Sequence, residues 1–347
     1  MRILVGMMHP KHVYMFKNFI HAMENRGHEV EIVAVEKDIT IRLLNEFKLP
    51  HKIIGKNPPS LSGKLISLPK WIYHTYKIAQ NFKPDIFIGQ AFPPFAYISK
   101  SFNKPYIIFE DTESATLVQK LCFPFASKIV TPKFYTVDIG EKHIRVDGFF
   151  ELAYLHPNWF HPNPSILKEC GFKENEKIII IRFVSWNALH DIGQSGISDD
   201  NKNFVIQKLK EFGHILVSSE GPVPEELKKY LISGNAKKNI HDLIFYSTLV
   251  FGESPTMTTE SALLGTPSIC VSSWACTCGN FQELKNKYGM IFCSSDPEDA
   301  LNYAIELLKN EKLKYTWKNK REILLNDKID ITSYMVDLIQ KYDGMEL

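Results

Sequence analysis

Net charge, long apolar runs and clustered cysteines are all scarce in this 347-residue sequence. Its 41 Lys and Arg nearly cancel its 39 Asp and Glu, leaving a net charge of +2. Nucleic-acid-binding chains usually show a basic excess or stripe, so nucleic acid is not an expected partner. No apolar run approaches the roughly 20 residues that a membrane-spanning helix needs. The opening MRILVGMMHPKHVYMF has a short apolar run ended by His9 and Pro10, which reads as a first strand rather than a signal peptide. The six cysteines, at 122, 170, 270, 276, 278 and 293, are scattered. The CTC at 276–278 has no second Cys or His cluster at zinc-site spacing, so no metal is expected. The thiols read as reduced, which suits a cytoplasmic protein.

An apolar fraction of 44% and a charged fraction of 23% are those of an ordinary globular chain. The length suits two domains of roughly 150 residues each. Short apolar runs alternate with helical-period segments, the pattern of parallel sheets with crossover helices. Strands are expected at 2–6, 29–35, 51–55, 85–89, 105–109 and 128–132. The pattern restarts at 177–183 and continues at 214–219, 248–253, 267–273 and 289–293. Between the halves, HPNWFHPNPSILKECGF is rich in Pro and Asn and breaks the alternation. The expected domains are therefore 1–150 and 173–347 with a linker at 151–172. The last helical segment, 331–342, either closes the second domain or returns to the first. The expected fold class is α/β, two Rossmann-like doubly wound domains facing a central cleft. Ligands in such sheets bind beyond the carboxyl ends of the strands.

Several segments at those ends carry candidate chemistry, each with a plainer reading beside it. In FGESPTMTTESALLGTPSICV (251–271), Ser254 reads as an N-cap and Pro255 as the first helical residue. The freed N–H groups near Thr256 and Met257 can bind an anion, and Glu260, one turn further on, can accept ribose hydroxyls. The plainer reading is a capped helix with a solvent-facing Glu and a glycine stop at Gly265. After the first strand, His9 and His12 are candidate bases. After the fifth, Asp111 and Glu113 are candidate bases or sugar-hydroxyl ligands. The plainer alternative has His12 capping the first helix and Asp111 or Thr112 capping the one at 114–121. Arg182, Trp186 and Asn187 follow the strand at 177–183, and Arg182 can clamp a diphosphate or pair with a carboxylate. His241 opens a short helix. The segment 64–83 interleaves Lys with aromatics and carries no acid, so it either covers its sheet with solvated lysines or rests on an anionic membrane surface.

The order strand, small-residue turn, helix with Glu, Gly-x-Pro, strand looks like the nucleotide-sugar site of GT-B fold glycosyltransferases and of UDP-N-acetylglucosamine 2-epimerases. Nearly end to end, the chain resembles the domain of unknown function 354 family of predicted GT-B glycosyltransferases. The match is carried by HPKHVYMFKN (9–18), FEDTESATLVQKLCFPFASKIVTP (109–132), DGFFELAYLHPN (147–158), IRFVSWNALHDIG (181–193), IHDLIFYS (240–247) and the stretch at 251–271. The chain departs from the family at Met8, where a glycine would let backbone approach a ligand closely.

The resemblance implies a metal-independent glycosyltransferase without a cofactor. It would move a sugar from a nucleotide-sugar donor, UDP-linked by expectation, to a glycan or lipid-linked acceptor in polysaccharide biosynthesis. Arg182, Trp186, Asn187, His241, Ser254, Thr256, Met257 and Glu260 would hold the donor, and His9, His12, Asp111 or Glu113 would take the acceptor proton. The protein is expected in the cytoplasm, with 64–83 as the segment for peripheral contact with the inner membrane face. One alternative is a UDP-sugar 2-epimerase, against which Gln90 stands where a carboxylate is wanted. Another is a non-catalytic nucleotide-sugar-binding protein.

Overall fold

Apolar runs such as Ile178–Ile181 are buried on both faces, which is why they lack the alternation of a half-exposed strand and form the interiors of parallel sheets. A computed structural model describes residues 1–184, 197 and 199–342. The chain divides into two units, Met1–Trp159 with Lys328–Leu347, and Phe160–Asp327.

In the first unit the strands are β1 (Arg2–Met7), β2 (Glu29–Glu36), β3 (His51–Lys56), β4 (Ile86–Gly89), β5 (Tyr106–Phe109), β6 (Lys128–Pro132) and β7 (His143–Val146). They pair in parallel in the order β3-β2-β1-β4-β5-β6-β7. The helices between them are α1 (Pro10–Glu24), α2 (Thr40–Glu46), α3 (Leu61–Phe82), α4 (Pro93–Ser101), α5 (Thr116–Cys122) and α6 (Leu152–Leu155). The order reverses between β1 and β4, so the switch point of this sheet lies at Met8–His9 and Gly89–Gln90.

The second unit holds β8 (Ile178–Phe183), β9 (His214–Ser219), β10 (Leu249–Gly252), β11 (Ser268–Val271) and β12 (Ile291–Ser294), ordered β12-β11-β10-β8-β9. Its helices are α7 (Ser165–Glu169), α8 (Asp199–Leu209), α9 (Gly234–Lys238), α10 (Ile240–Tyr246), α11 (Pro255–Leu264), α12 (Gly279–Gln282), α13 (Pro297–Leu308) and α14 (Leu313–Asp327). Here the order reverses between β8 and β10. Gly252 is needed at that point, because a Cβ there would sit 2.1 Å from the carbonyl oxygen of Arg182 on the neighbouring strand.

The last helix, α15 (Ile331–Lys341), belongs to the first unit, where Ile331, Met335, Val336 and Ile339 are buried. Asp330 caps it through the Ser333 N–H at 3.1 Å and also accepts from Trp159 Nε1 at 2.8 Å and Asn158 Nδ2 at 2.9 Å. Residues 151–159, read above as linker, are thus part of this unit, and all four residues of α6 are buried.

The thiol reading needs correction at two positions. Cys276 and Cys293 form a disulfide, with Cα atoms 5.6 Å apart, while Cys122, Cys170, Cys270 and Cys278 keep their thiols. The pairing follows from topology: Cys293 lies in β12 beside β11, and Cys276 lies in the turn that leaves β11. With the partners 17 positions apart in sequence, Cys276→Ser is expected to lower unfolding free energy by about 3 kcal/mol. Urea unfolding of the variant and of dithiothreitol-treated wild type measures it, and both should agree.

Candidate functional site

The switch point of the first sheet carries a buried polar cluster. Lys11, in the first turn of α1, places Nζ 2.6 Å from Asp111 Oδ2 and 3.0 Å from Glu151 Oε1. The side chains are 18%, 7% and 6% exposed, so this is an ion triad largely withdrawn from water rather than a surface salt bridge. Gln90, after β4, donates Nε2 to Asp111 Oδ1 at 3.1 Å. Lys11 is pushed above its ordinary range by the two carboxylates, which outweigh the burial that opposes them. Burial raises Glu151.

His9 and His12 frame this cluster. His9 is the N-cap of α1, its Nδ1 accepting from the Lys11 N–H at 3.2 Å, so the cap belongs to His9 and not to His12. His12 Nδ1 accepts from the Met8 N–H at 3.3 Å, and the ring also meets the Gln90 side chain in a hydrogen bond. Burial, with Lys37 and Lys11 nearby, pushes His9 down to about 2 and His12 to about 3, so both rings are neutral near pH 7. His12, Gln90, Asp111, Lys11 and Glu151 therefore form one hydrogen-bonded chain across the ends of β1, β4 and β5.

Glu110 lies under that chain. Its carboxylate accepts the backbone N–H groups of Thr112 at 2.9 Å, Asp111 at 3.2 Å and Ala91 at 3.4 Å. Burial, reinforced by Asp111, raises it to about 7. Glu113 is engaged elsewhere, accepting from Thr136 N at 2.6 Å and Oγ1 at 2.9 Å. Neither Asp111 nor Thr112 caps a helix, since α5 starts at Thr116 without a side-chain cap.

At the switch point of the second sheet, α11 forms as its residues dictate. Ser254 Oγ accepts from the Met257 N–H at 3.4 Å, Pro255 opens the helix, and Gly265 ends it at φ 81°. Thr256 is exposed on the first turn and Met257 is buried. Glu260 is not solvent-facing: it is 8% exposed, and Oε1 lies 3.1 Å from His241 Nε2 on α10. Arg182 donates Nη1 to Ser218 Oγ at 2.8 Å and pairs through Nη2 with Glu220, both beyond or at the end of β9. The carboxylate that holds Arg182 is thus in its own unit. Trp186 and Asn187 lie outside the described residues.

Sequence reasoning did not single out Lys11, Glu151 or Glu253. Buried Glu253 accepts the Val184 N–H at 3.1 Å and the Ile197 N–H at 2.6 Å, holding both flanks of the segment after β8. An acid directly after a buried strand, as in GES and FED, is the signal that finds Glu253 and Glu110; nothing local marks Glu151.

Two Rossmann-like units, each with its polar residues at the switch point, make up a GT-B-like fold. The chain belongs to the family described as "Protein of unknown function (DUF354)", whose model matches residues 1–343. An uncharacterised protein of Methanocaldococcus jannaschii is 23% identical over 279 residues, covering 77% of this chain and 80% of that one. The structure of UDP-GlcNAc 2-epimerase from Neisseria meningitidis bound to UDP-GlcNAc superposes with a TM-score of 0.69 at 11% identity, covering 98% of this chain and 100% of that one. Glycosyltransferase VinC in complex with dTDP gives a TM-score of 0.62 at 13% identity, covering 98% and 99%. At such identities the likeness fixes the fold and leaves the chemistry to the residues.

Proposed function

We propose that this chain is a nucleotide-sugar enzyme of the glycosyltransferase type, moving a sugar from a nucleoside diphosphate donor, UDP-linked, to a glycan or lipid-linked hydroxyl. The observation that carries the reading is the Lys11–Asp111–Gln90 arrangement at the first switch point. It holds a carboxylate in one orientation, with Oδ1 accepting from Gln90 and from Thr112 Oγ1 at 3.3 Å and a lone pair left on Oδ2 beside the Lys11 ammonium, as a general base requires. In the reaction Asp111 takes the acceptor proton, the acceptor oxygen bonds to the anomeric carbon, and the sugar–phosphate bond breaks to release the nucleoside diphosphate. The second unit holds the donor: the first turn of α11 offers its Thr256 N–H and the positive end of its dipole to the diphosphate, and Arg182 adds a guanidinium. These stabilise the leaving group in place of a divalent cation. Glu260, set by His241, takes the ribose hydroxyls. His9 and His12 act as positioning residues for α1 and Gln90.

The test is calorimetry of UDP, GDP, CMP, dTDP and their sugar conjugates on wild type, Glu260→Ala and Arg182→Ala. One nucleotide should bind saturably, with Kd raised about 10–100-fold in each variant, the cost of losing a charge-assisted hydrogen bond. Unchanged affinity in both variants would remove the donor assignment.

A UDP-sugar 2-epimerase is favoured by one observation, that two carboxyl groups, Asp111 and Glu151, share one ammonium. Such a set can remove and return a proton at a sugar carbon. Incubation with UDP-GlcNAc in deuterium oxide separates the readings: deuterium at the sugar C2 supports epimerisation, and sugar moved to an acceptor without exchange supports transfer. Binding with neither product leaves a nucleotide-sugar-binding protein.

A further inference from the structure

The α3 crossover helix has two apolar faces where the sheet accounts for one. On the inner face Trp71, Thr75 and Ala79 are buried, and Leu68, Ile72, Ile78 and Phe82 pack against the core of the first unit. The opposite face of such a helix is ordinarily polar. Here Leu65, Ile66, Pro69, Tyr73 and Tyr76 recur at helical spacing on that outer side, all of them exposed. Ile66 is 79% exposed, Tyr73 58% and Leu65 55%, which places whole apolar side chains in solvent rather than their edges. Single exposed apolar residues need no explanation, but a row along three turns of one helix does.

Charge of one sign accompanies the row. From Gly55 to Lys83 the sequence has Lys56, Lys64, Lys70, Lys77 and Lys83 and no Asp or Glu. Lys70 and Lys77 are exposed beside the row, with Lys77 Nζ 5.9 Å from the centre of the Tyr73 ring. Lys56 Nζ lies 3.5 Å from a carboxylate outside the segment, that of Glu36. Among the described residues, no helix is long and apolar enough to cross a membrane. A helix with an apolar row, tyrosines and flanking lysines fits a lipid interface, where tyrosine sits at headgroup depth and lysine stems extend to phosphates.

We propose that the outer face of α3 docks on the surface of an anionic lipid bilayer, with Leu65, Ile66 and Tyr73 entering the interface and Lys70 and Lys77 on lipid phosphates. The docking does not depend on which sugar reaction the enzyme runs. A membrane fits better than a protein partner because the lysines along the segment meet no interspersed acid, and a uniformly anionic plane complements that without register.

The test is flotation of the full chain with phosphatidylcholine vesicles carrying about 30 mol% phosphatidylglycerol, against vesicles of phosphatidylcholine alone. Wild type should float with the anionic vesicles and partition at least about tenfold less onto the neutral ones. Ile66→Ser with Tyr73→Ser should lose flotation through the apolar side, and Lys70→Glu with Lys77→Glu should weaken it by about tenfold or more through charge. Both pairs are exposed, so their melting temperatures should stay at the wild-type value, separating loss of docking from loss of fold. Wild type remaining in the aqueous layer with anionic vesicles, equal binding to neutral ones, or full binding by both variants would overturn the proposal. So would a concentration-dependent dimer in sedimentation velocity that the Ile66→Ser, Tyr73→Ser protein no longer forms, which would assign this face to a second copy.

Discussion

Turnover of the Asp111→Asn protein is expected to fall by about 10²–10⁴-fold, the usual contribution of a positioned general base. Donor affinity should be unchanged, because the residues assigned to the donor all lie in the second unit. The amide keeps the size of the side chain and can still meet Lys11 or Gln90 through its oxygen, while Lys11 keeps Glu151 at 3.0 Å. The ammonium is therefore not stranded and the fold should survive, which a melting curve checks. Glu151→Gln is the control from the same triad: it removes a partner of Lys11 without touching the base, so its loss of turnover should be far smaller. Rates within about threefold of wild type for Asp111→Asn would make the triad a structural device and move the base elsewhere. Reduced affinity for the nucleotide with unchanged turnover would contradict the division of labour between the units. The comparison is informative in either direction because a buried ion triad costs desolvation that well-packed apolar residues would avoid.

What the sequence made legible was local. IIIIRF reads as a buried strand because nothing else explains an unbroken apolar run of that length, and Ser254, Pro255 and Gly265 mark both ends of α11 through chemistry contained in the helix itself. Strand β7 was missed: its residues, HIRV, alternate with a charge and sit at the edge of the sheet, so no buried run announces them. The plainer reading of His12 as cap of the first helix fails because Pro10 is the first helical residue, which puts the cap at His9. Long-range pairings left no local trace. Lys11 meets Asp111 and Glu151 only because α1, the end of β5 and the start of α6 converge at one switch point. Cys276 and Cys293 likewise read as scattered thiols until β11 and β12 are known to be neighbours. Glu260 was placed at the right turn of the right helix, yet its burial against His241 depends on α10, which no pattern within α11 reports.

Between pH 5 and 3 the protein is expected to lose stability steeply, and His12 should account for much of the loss. Burial, with Lys11 and Lys37 close by, lowers its folded pKa to about 3 from an ordinary 6.5. Below pH 6.5 the unfolded chain takes up a proton that the native state refuses, so stability falls as pH drops through that window. The full shift corresponds to about 5 kcal/mol, on the order of half the stability of an ordinary domain. Glu110 acts with the opposite sign. Its folded pKa of about 7 exceeds the ordinary 4.5, so the native state binds the extra proton between those values and stability rises as pH falls from 7 to 4.5. His9, lowered to about 2 by burial, acts in the same direction as His12, so from pH 7 to 5 Glu110 offsets only one of the two histidines, and below 4.5 only the histidine side still changes. Urea unfolding of wild type should therefore show a shallow decline of about 1–2 kcal/mol from pH 7 to 5 and then a sharper one. His12→Gln retains an acceptor for the Met8 N–H and a donor toward Gln90 but takes no proton in this range. Its curve should stay nearly level from pH 7 to 5 and decline less below that, a divergence from wild type of several kcal/mol by pH 3.5. Parallel curves for the two proteins would mean that His12 is protonated in the native state, and the neutral hydrogen-bonded chain from His12 to Asp111 would then have to be redrawn.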